Sequence, residues 1–394
     1  MTYDVQTPLV ARLWPYTPDW SQGFNAKRAF QTDIITTRDD TEQRRALRLV
    51  PRLSADYRTV VSGDERRAAD HHMRAWQNKP VTIPDFARWA RLTASSASTT
   101  STLTINPMPP WVFDGQLLVL CGAGGALEQV LVASVAGTTV TLNDPLVASW
   151  ASGAVIRPTY FGLFVGEIAS SRPNRDTAII SVSVDGYAGG EPPRAAGTAW
   201  ATFNSKEVFT LQPDYASPPS INHVWPVEQI DYGRGRTAEF RPIAQMKRRL
   251  DADFNGQDAT AASEIEQFFD RMLGRRNAFY MPTWERDLLL AVTATSGTST
   301  IQFTGDLTDL PTVDAIAVCL KDGTQLYRSL SNPLIWGSDT IFDVSSVWPQ
   351  DITAANVARI SWMPLWRFAS DEMTTAWRTP LSAGVRLSYQ QVTG

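Results

Sequence analysis

One stretch of this chain is written twice, and that repeat constrains the fold more than any other feature. Leu53-Ser54-Ala55-Asp56-Tyr57 returns 197 positions later as Leu250-Asp251-Ala252-Asp253-Phe254, with Arg52 matched by Arg249. Each copy runs through a glycine-containing turn into a helix-like segment and leaves it by a proline followed by an aromatic, Pro84 and Phe86 against Pro282 and Trp284. At that point the shift is 198. It also relates Arg88 to Arg286, Leu92 to Leu290, Thr100-Ser101-Thr102-Leu103 to Thr298-Ser299-Thr300-Ile301, and the only two cysteines, Cys121 and Cys319. Weaker matches flank this centre: Pro18-Asp19-Trp20 with Pro213-Asp214-Tyr215, and Ala169-Ser170 with Ala369-Ser370, each of the latter preceding an alternating strand at 178–185 or 385–392. So many matches in one order imply a tandem duplication with halves at about 1–200 and 201–394.

A chain of 394 residues can bury two full cores, and 43% hydrophobic with 19% charged residues is the composition of a folded protein. A net charge of -4 names neither a polyanion nor an acidic membrane as a global partner. Two cysteines, one at the end of an apolar run in each half, read as buried thiols rather than a disulfide. Met1-Thr2-Tyr3-Asp4 opens no basic or apolar leader, so no signal peptide is expected, and no apolar run is long enough for a membrane span.

The aromatic and proline-rich opening, 9–20, reads as an extended arm that lies on a neighbour. A hairpin follows, with strands at 30–37 and 42–57 and its turn at Asp39-Asp40-Thr41. Ser62-Gly63-Asp64-Glu65 has the spacing of a capping box before a helix to about Gln77, with Ala69, Met73 and Trp76 on one stripe. In the second half Ile265, Phe268, Phe269 and Met272 stand at i, i+3, i+4 and i+7, and Gly274 falls at the C-terminal cap. Glu266 then belongs to the outer face. Five short strands at 101–105, 117–120, 129–135, 138–142 and 154–158 suffice for a small barrel, with a counterpart at 293–365. The Gly- and Pro-rich 186–222 reads as an ordered crossover that supplies a strand or arm, around Val208-Phe209, to the second half.

The expected fold is mainly β with a few helices (α+β): a duplicated β-sandwich-plus-helix unit, each copy with an inserted small β-barrel. The units take 1–92 plus 165–200 and 201–292 plus 366–394, and the barrels take 93–164 and 293–365.

Thr32-Asp33-Ile34-Ile35, followed by Thr41-Glu42-Gln43-Arg44-Arg45-Ala46-Leu47-Arg48 and Pro51-Arg52 and preceded by Pro18-Asp19-Trp20, resembles tail-tip proteins of long-tailed bacteriophages. The barrel run Gly137-Thr138-Thr139-Val140-Thr141-Leu142 looks like the small β-domains of the same proteins. The resemblance covers most of the first half and reaches the second through the duplication, where Thr-Glu-Gln-Arg is replaced by Arg236-Thr237-Ala238-Glu239-Phe240. It implies a distal-tail or hub-like structural virion protein, made in the host cytoplasm. Such a protein forms a ring that joins the tail tube to the baseplate or host-attachment apparatus.

No residue pattern carries catalysis, a cofactor or a metal. His71 and His72 are adjacent on a helix and point about 100° apart, so they cannot share a metal by themselves. Gly122 to Gly125 lacks the Lys-Ser/Thr of a phosphate loop and reads as a hairpin turn. Of the 14 tryptophans, Trp76, Trp89, Trp284 and Trp336 fall at expected packing positions, while Trp14, Trp20 and Trp362 lie beside prolines. Trp14, Trp20, Arg44, Arg45 and Arg48 are therefore the candidate inter-subunit contacts, the arginines for salt bridges between subunits or for DNA passing through the tail. A glycan- or receptor-binding module is the alternative function, and a tail-associated hydrolase the third. Two units per chain let a trimer present six related faces between a sixfold tube and a threefold tip, with a hexamer as the other arrangement.

Overall fold

The structure, a computed structural model, describes residues 12–37, 41–76, 78–186, 200–224, 227–233, 235, 237–240, 247–308 and 315–392. The hairpin turn at Asp39-Asp40, Gln77, most of the crossover up to 199 and Arg236 lie outside them.

In the first unit a two-residue strand β1 (Arg12–Leu13) precedes the hairpin β2 (Phe24–Thr36) and β3 (Glu42–Ser62), and β3 runs directly into α1 (Gly63–Ala75). Strict alternation sets the sheet's faces. Phe24, Ala26, Ala55, Tyr57 and Val61 point to a core, while Asn25, Arg52, Asp56 and Arg58 stay on the other, polar face. After α1 come β4 (Val81–Pro84) and β5 (Ala90–Arg91), then β6 (Thr102–Thr104), β7 (Leu117–Cys121), β8 (Leu127–Ala136), β9 (Thr139–Leu142) and β10 (Val155–Phe164). The return strands β11 (Ser170–Ser171) and β12 (Thr177–Gly186) follow, β12 pairing along the C-terminal half of β3.

β10 belongs to two bodies. Its first residues pair with β7 and β5, and its last with β4 and β12. The order β6–β9–β8–β7–β10, closed by β5 through the Leu92–Ile105 bridge, makes a small barrel around Leu103, Leu118, Leu120, Val140, Trp150 and Ile156. Gly122 to Gly125 forms the tight turn between β7 and β8.

The second unit uses the same order of elements. A small hairpin, β13 (Thr202–Phe203) and β14 (Lys206–Glu207), leads to β15 (Ser220–Val224), the tip strands β16 (Glu228–Asp231) and β17 (Thr237–Phe240), then β18 (Lys247–Gln257), α2 (Ala259–Met272) and β19 (Phe279–Tyr280). A five-stranded barrel follows, β20 (Thr300–Thr304), β21 (Ala315–Leu320), β22 (Gln325–Trp336), β23 (Asp339–Val344) and β24 (Val357–Trp362), in the order β20–β23–β22–β21–β24. The chain closes with β25 (Leu365–Phe368), β26 (Glu372–Thr379) and β27 (Ser382–Gln391). Cys121 and Cys319 are both free thiols, each beside an arginine, Arg157 or Arg359, and burial raises the pKa of both.

The fold is mainly β, with strands making up 52% and two helices 8% among the described residues. The main sheet is continuous and curls into a half-barrel, carrying β4 and β1 over to the core that α1 also covers.

Several expectations need correction. Trp14 and Tyr16 do not lie on a neighbour: Trp14 is fully buried in its own unit, its backbone N–H donating to the Thr82 carbonyl, and Trp20 packs half-buried on the same core. Phe209 does the equivalent in the second unit, donating to the Tyr280 carbonyl and sitting among Phe254, Phe268 and Phe279. Ser62 makes no side-chain cap, so the capping box does not form and α1 ends at Ala75; α2 is capped by Asp258, which accepts from Ala261 N. Trp336 and Trp89 are exposed rather than packed.

Ile265, Phe268, Phe269 and Met272 are all buried in the second core. Because Phe268 and Phe269 each meet several aromatic rings, Phe268→Ala or Phe269→Ala will cost about 3–5 kcal/mol, read as a shift in the denaturation midpoint. Unchanged melting in both variants would make α2 peripheral to the core.

Candidate assembly interface and the joint between the units

The two units meet by continuing one sheet. β2 pairs antiparallel with β26 from Phe24 opposite Trp377 to Ala29 opposite Glu372, and Phe30 N donates to the Asp371 carbonyl at 2.9 Å. Each unit also lends the other an aromatic. Phe30 enters the second core beside Phe269, and Trp377 enters the first. Two glycines permit the close approach: a Cβ on Gly23 would lie 2.7 Å from the Trp377 carbonyl oxygen, and one on Gly274 would lie 2.6 Å from Asp371 Oδ1 and 3.1 Å from Phe30 Cβ, with φ positive at both.

Behind the paired strands lies an ion cluster. Glu266 on α2 accepts from Arg28 Nη2 at 2.8 Å, from Arg88 Nη2 at 2.6 Å and from Thr375 Oγ1 at 2.8 Å. Arg28 also reaches Asp270 at 2.7 Å, and Arg88 reaches Asp85 at 2.8 Å. Asp85 in turn accepts from the Tyr160 hydroxyl and from the backbone N–H groups of Ala87 and Arg88. Glu266 is therefore not an outer-face residue, and the apolar spacing of α2 gave no sign of it. Burial alone would raise its pKa, but Arg28 and Arg88, with hydrogen bonds from Arg88 and Thr375, bring it down to about 2. Arg88 is held protonated against its own burial by Glu266 and Asp85. The adjoining cavity, about 60 Å³ and lined by Asp85, Arg88, Trp111, Gln116 and Glu266, is far below the few hundred Å³ of an ordinary ligand pocket.

Two further clamps follow the hairpin toward its tip. Asp371 accepts from Thr32 N at 2.7 Å, Thr32 Oγ1 at 2.9 Å and Arg275 N at 2.9 Å. Arg367 forms a two-pronged pair with Glu42, both contacts at 2.9 Å, which, against burial, lowers the Glu42 pKa. Thr32 and Glu42 thus serve the joint within the chain.

The candidate contact arginines divide between faces. Arg44 and Arg48 are half-buried, Arg44 lying 3.6 Å from Glu42 and Arg48 donating to the Ala29 carbonyl. Arg45 is exposed opposite Asp33, beside exposed Ile35, Leu47 and Leu49. His72 is structural: its ring stacks on Trp76 at 4.0 Å and Nδ1 lies 3.1 Å from the Tyr16 hydroxyl, with its pKa lowered by burial and by His71. No helix among the described residues is long and apolar enough to cross a membrane.

The sequence matches no family model, and no curated protein matches it.

Glu266→Ala removes the carboxylate that Arg28 and Arg88 share, leaving Arg28 only Asp270 and Arg88 only Asp85, and will destabilise the protein by about 3 kcal/mol. The folded-state pKa of Glu266 lies below its ordinary 4.5, so its contribution is complete above that value and is lost as pH falls through about 2. Denaturation from pH 6 down to 2 will narrow the gap between wild type and Glu266→Ala; a constant gap would show that the charge is not what matters.

Proposed function

We propose that this protein is a structural ring component of the tail tip of a long-tailed bacteriophage, joining the tail tube to the baseplate or attachment apparatus. The reading starts from the resemblance of the segment holding Thr32 and Glu42. The observation that carries it is that this hairpin is a connector: it continues the sheet from one unit into the next and is clamped there by Asp371 and Arg367. If the two units arose by duplication, as their matching sequences imply, joining side by side in this way suits them to repetition around an axis. Three chains then supply six related units, and six chains supply twelve. The polar face of the sheet, with Arg52, Asp56, Arg58, Asp251 and Asp253, is the surface such a ring would turn toward a channel and passing DNA. The role is architectural rather than enzymatic, and its place is the virion.

Native mass of the assembled protein tests this. A trimer is near 131 kDa, three times 43.6 kDa, and a hexamer near 262 kDa, six times 43.6 kDa. The trimer is expected, with rings in negative stain; monomers within virions would overturn both forms.

A second reading, a glycan- or receptor-binding module, is favoured by one feature. Trp336 is 66% exposed at the β22–β23 hairpin tip, beside exposed Leu334 and Ile335, and a bare indole can stack on a sugar face. Saturable glycan binding that disappears in Trp336→Ala would support it.

A further inference from the structure

The joint inside the chain has an open counterpart at each end of the sheet. Among the described residues eight strands lie side by side, β15–β18–β27–β26–β2–β3–β12–β11, and the run ends on β15 at one side and β11 at the other. We propose that β15 of one copy adds to the β11 edge of the next copy, in the register that β2 keeps with β26. The proposal rests on the self-assembly put forward above and names the surface it uses.

Strand pairings define the equivalence. Leu53 faces Arg28 and Leu250 faces Ile221, so Ile221 occupies the place of Arg28. The turns before the two strands are of one kind but lie two residues apart in place: Asp19 and Asp214 each accept from the N–H two residues on, while Asp19 N donates to the Arg58 carbonyl and Asp214 N to that of Asp253, two residues before Asn255, the counterpart of Arg58. Since the Asp253 carbonyl faces that side, antiparallel alternation turns Asp251 and Arg249 the same way. Ser220 and Asn222 therefore bond toward β18, and the backbone of Ile221 points outward. On the other edge, Tyr57 faces Val182 and Phe254 faces Val385, which makes those valines equivalent. Ser170, opposite Ile180, then stands where Trp377 stands opposite Ala383. The sequence match of Ala169-Ser170 to Ala369-Ser370 is displaced from this structural one.

Carrying the β2–β26 register across places Ser217 opposite Ser170 and, at the bend of Gly166 (φ +60°) that separates β10 from β11, brings Ser220 near Glu167 and Ile221 near Gly166 of the next copy. Glu167, Ser170, Ser220 and Ile221 are all exposed. Pro219, at the position of Ala26, removes one donor from the ladder and so restricts which edges β15 can join. At the hairpin tip the inner joint uses the Glu42–Arg367 pair, whereas the second hairpin presents exposed Ile230, Tyr232 and Phe240. The outer joint is apolar at its tip where the inner one is ionic. The occupant is a second copy because the same two kinds of edge already meet within the chain, and a head-to-tail contact of this type repeats until the ring closes.

Ser220 and Glu167 would face each other across this joint, close enough for a disulfide between cysteines at the two places. In a Cys121→Ser/Cys319→Ser background, Ser220→Cys with Glu167→Cys should give covalent dimers and trimers on mild oxidation, and neither cysteine alone should do so. Ile221→Pro, which removes the outward N–H, should convert the assembly to 43.6 kDa monomers with an unchanged circular dichroism spectrum. An assembly that persists in Ile221→Pro and yields no cross-link overturns this joint and leaves the ring reading standing. A wild-type chain that stays monomeric at its highest soluble concentration overturns the ring, and this joint with it.

Discussion

A single carboxylate, that of Glu266, ties the two halves of this protein into one body. It sits on α2 of the second unit, yet both guanidiniums that neutralise it, those of Arg28 and Arg88, come from the first. Arg88 has Asp85 within its own unit, but the ion pairs of Arg28 with Glu266 and Asp270, and of Arg88 with Glu266, form only across the joint, where a buried charge left without a partner is costly. Backbone pairing between β2 and β26 would tolerate other registers, because every rung of an antiparallel ladder resembles the next. The ion cluster, with Asp371 on Thr32 and Arg367 on Glu42, selects one.

The apolar contribution at the same joint is reciprocal. Phe30 leaves its own unit to fill the second core, and Trp377 fills the first, with the Arg88 guanidinium 5.4 Å above its ring. Neither core is complete within its own unit, which is why a hairpin edge that would otherwise invite any strand is committed to one partner. The barrels are coupled to this body differently. In the first unit β10 passes unbroken from barrel to sheet, Pro158 included, whereas in the second β24 ends at Trp362 and β25 begins at Leu365.

The alternating and helical periods of the sequence placed the hairpin, both helices, the five barrel strands and the return strands, because each depends on contacts local to the chain or on a side-chain period of 2 or 3.6. The same local signals misplaced individual side chains. Trp14 was assigned to a surface arm because prolines forbid a helix there, but an extended segment can equally lie across its own core. Trp336 was assigned to packing by its apolar run, yet it lies at a hairpin tip, where there is nothing to pack against.

From residue patterns alone the mainly-β class is legible, as is the placing of Thr32 and Glu42 on one hairpin, because both follow from alternation local to the chain. What that hairpin touches is settled by contacts between residues hundreds of positions apart. Glu266 looked like a solvent-facing residue because its neighbours at helical spacing are apolar on another side, and no local pattern encodes the approach of Arg28 from 238 positions away. A polar side chain's role depends on which opposite charge the fold brings to it, and that is fixed by sheet register between units rather than by anything within a turn of its own helix.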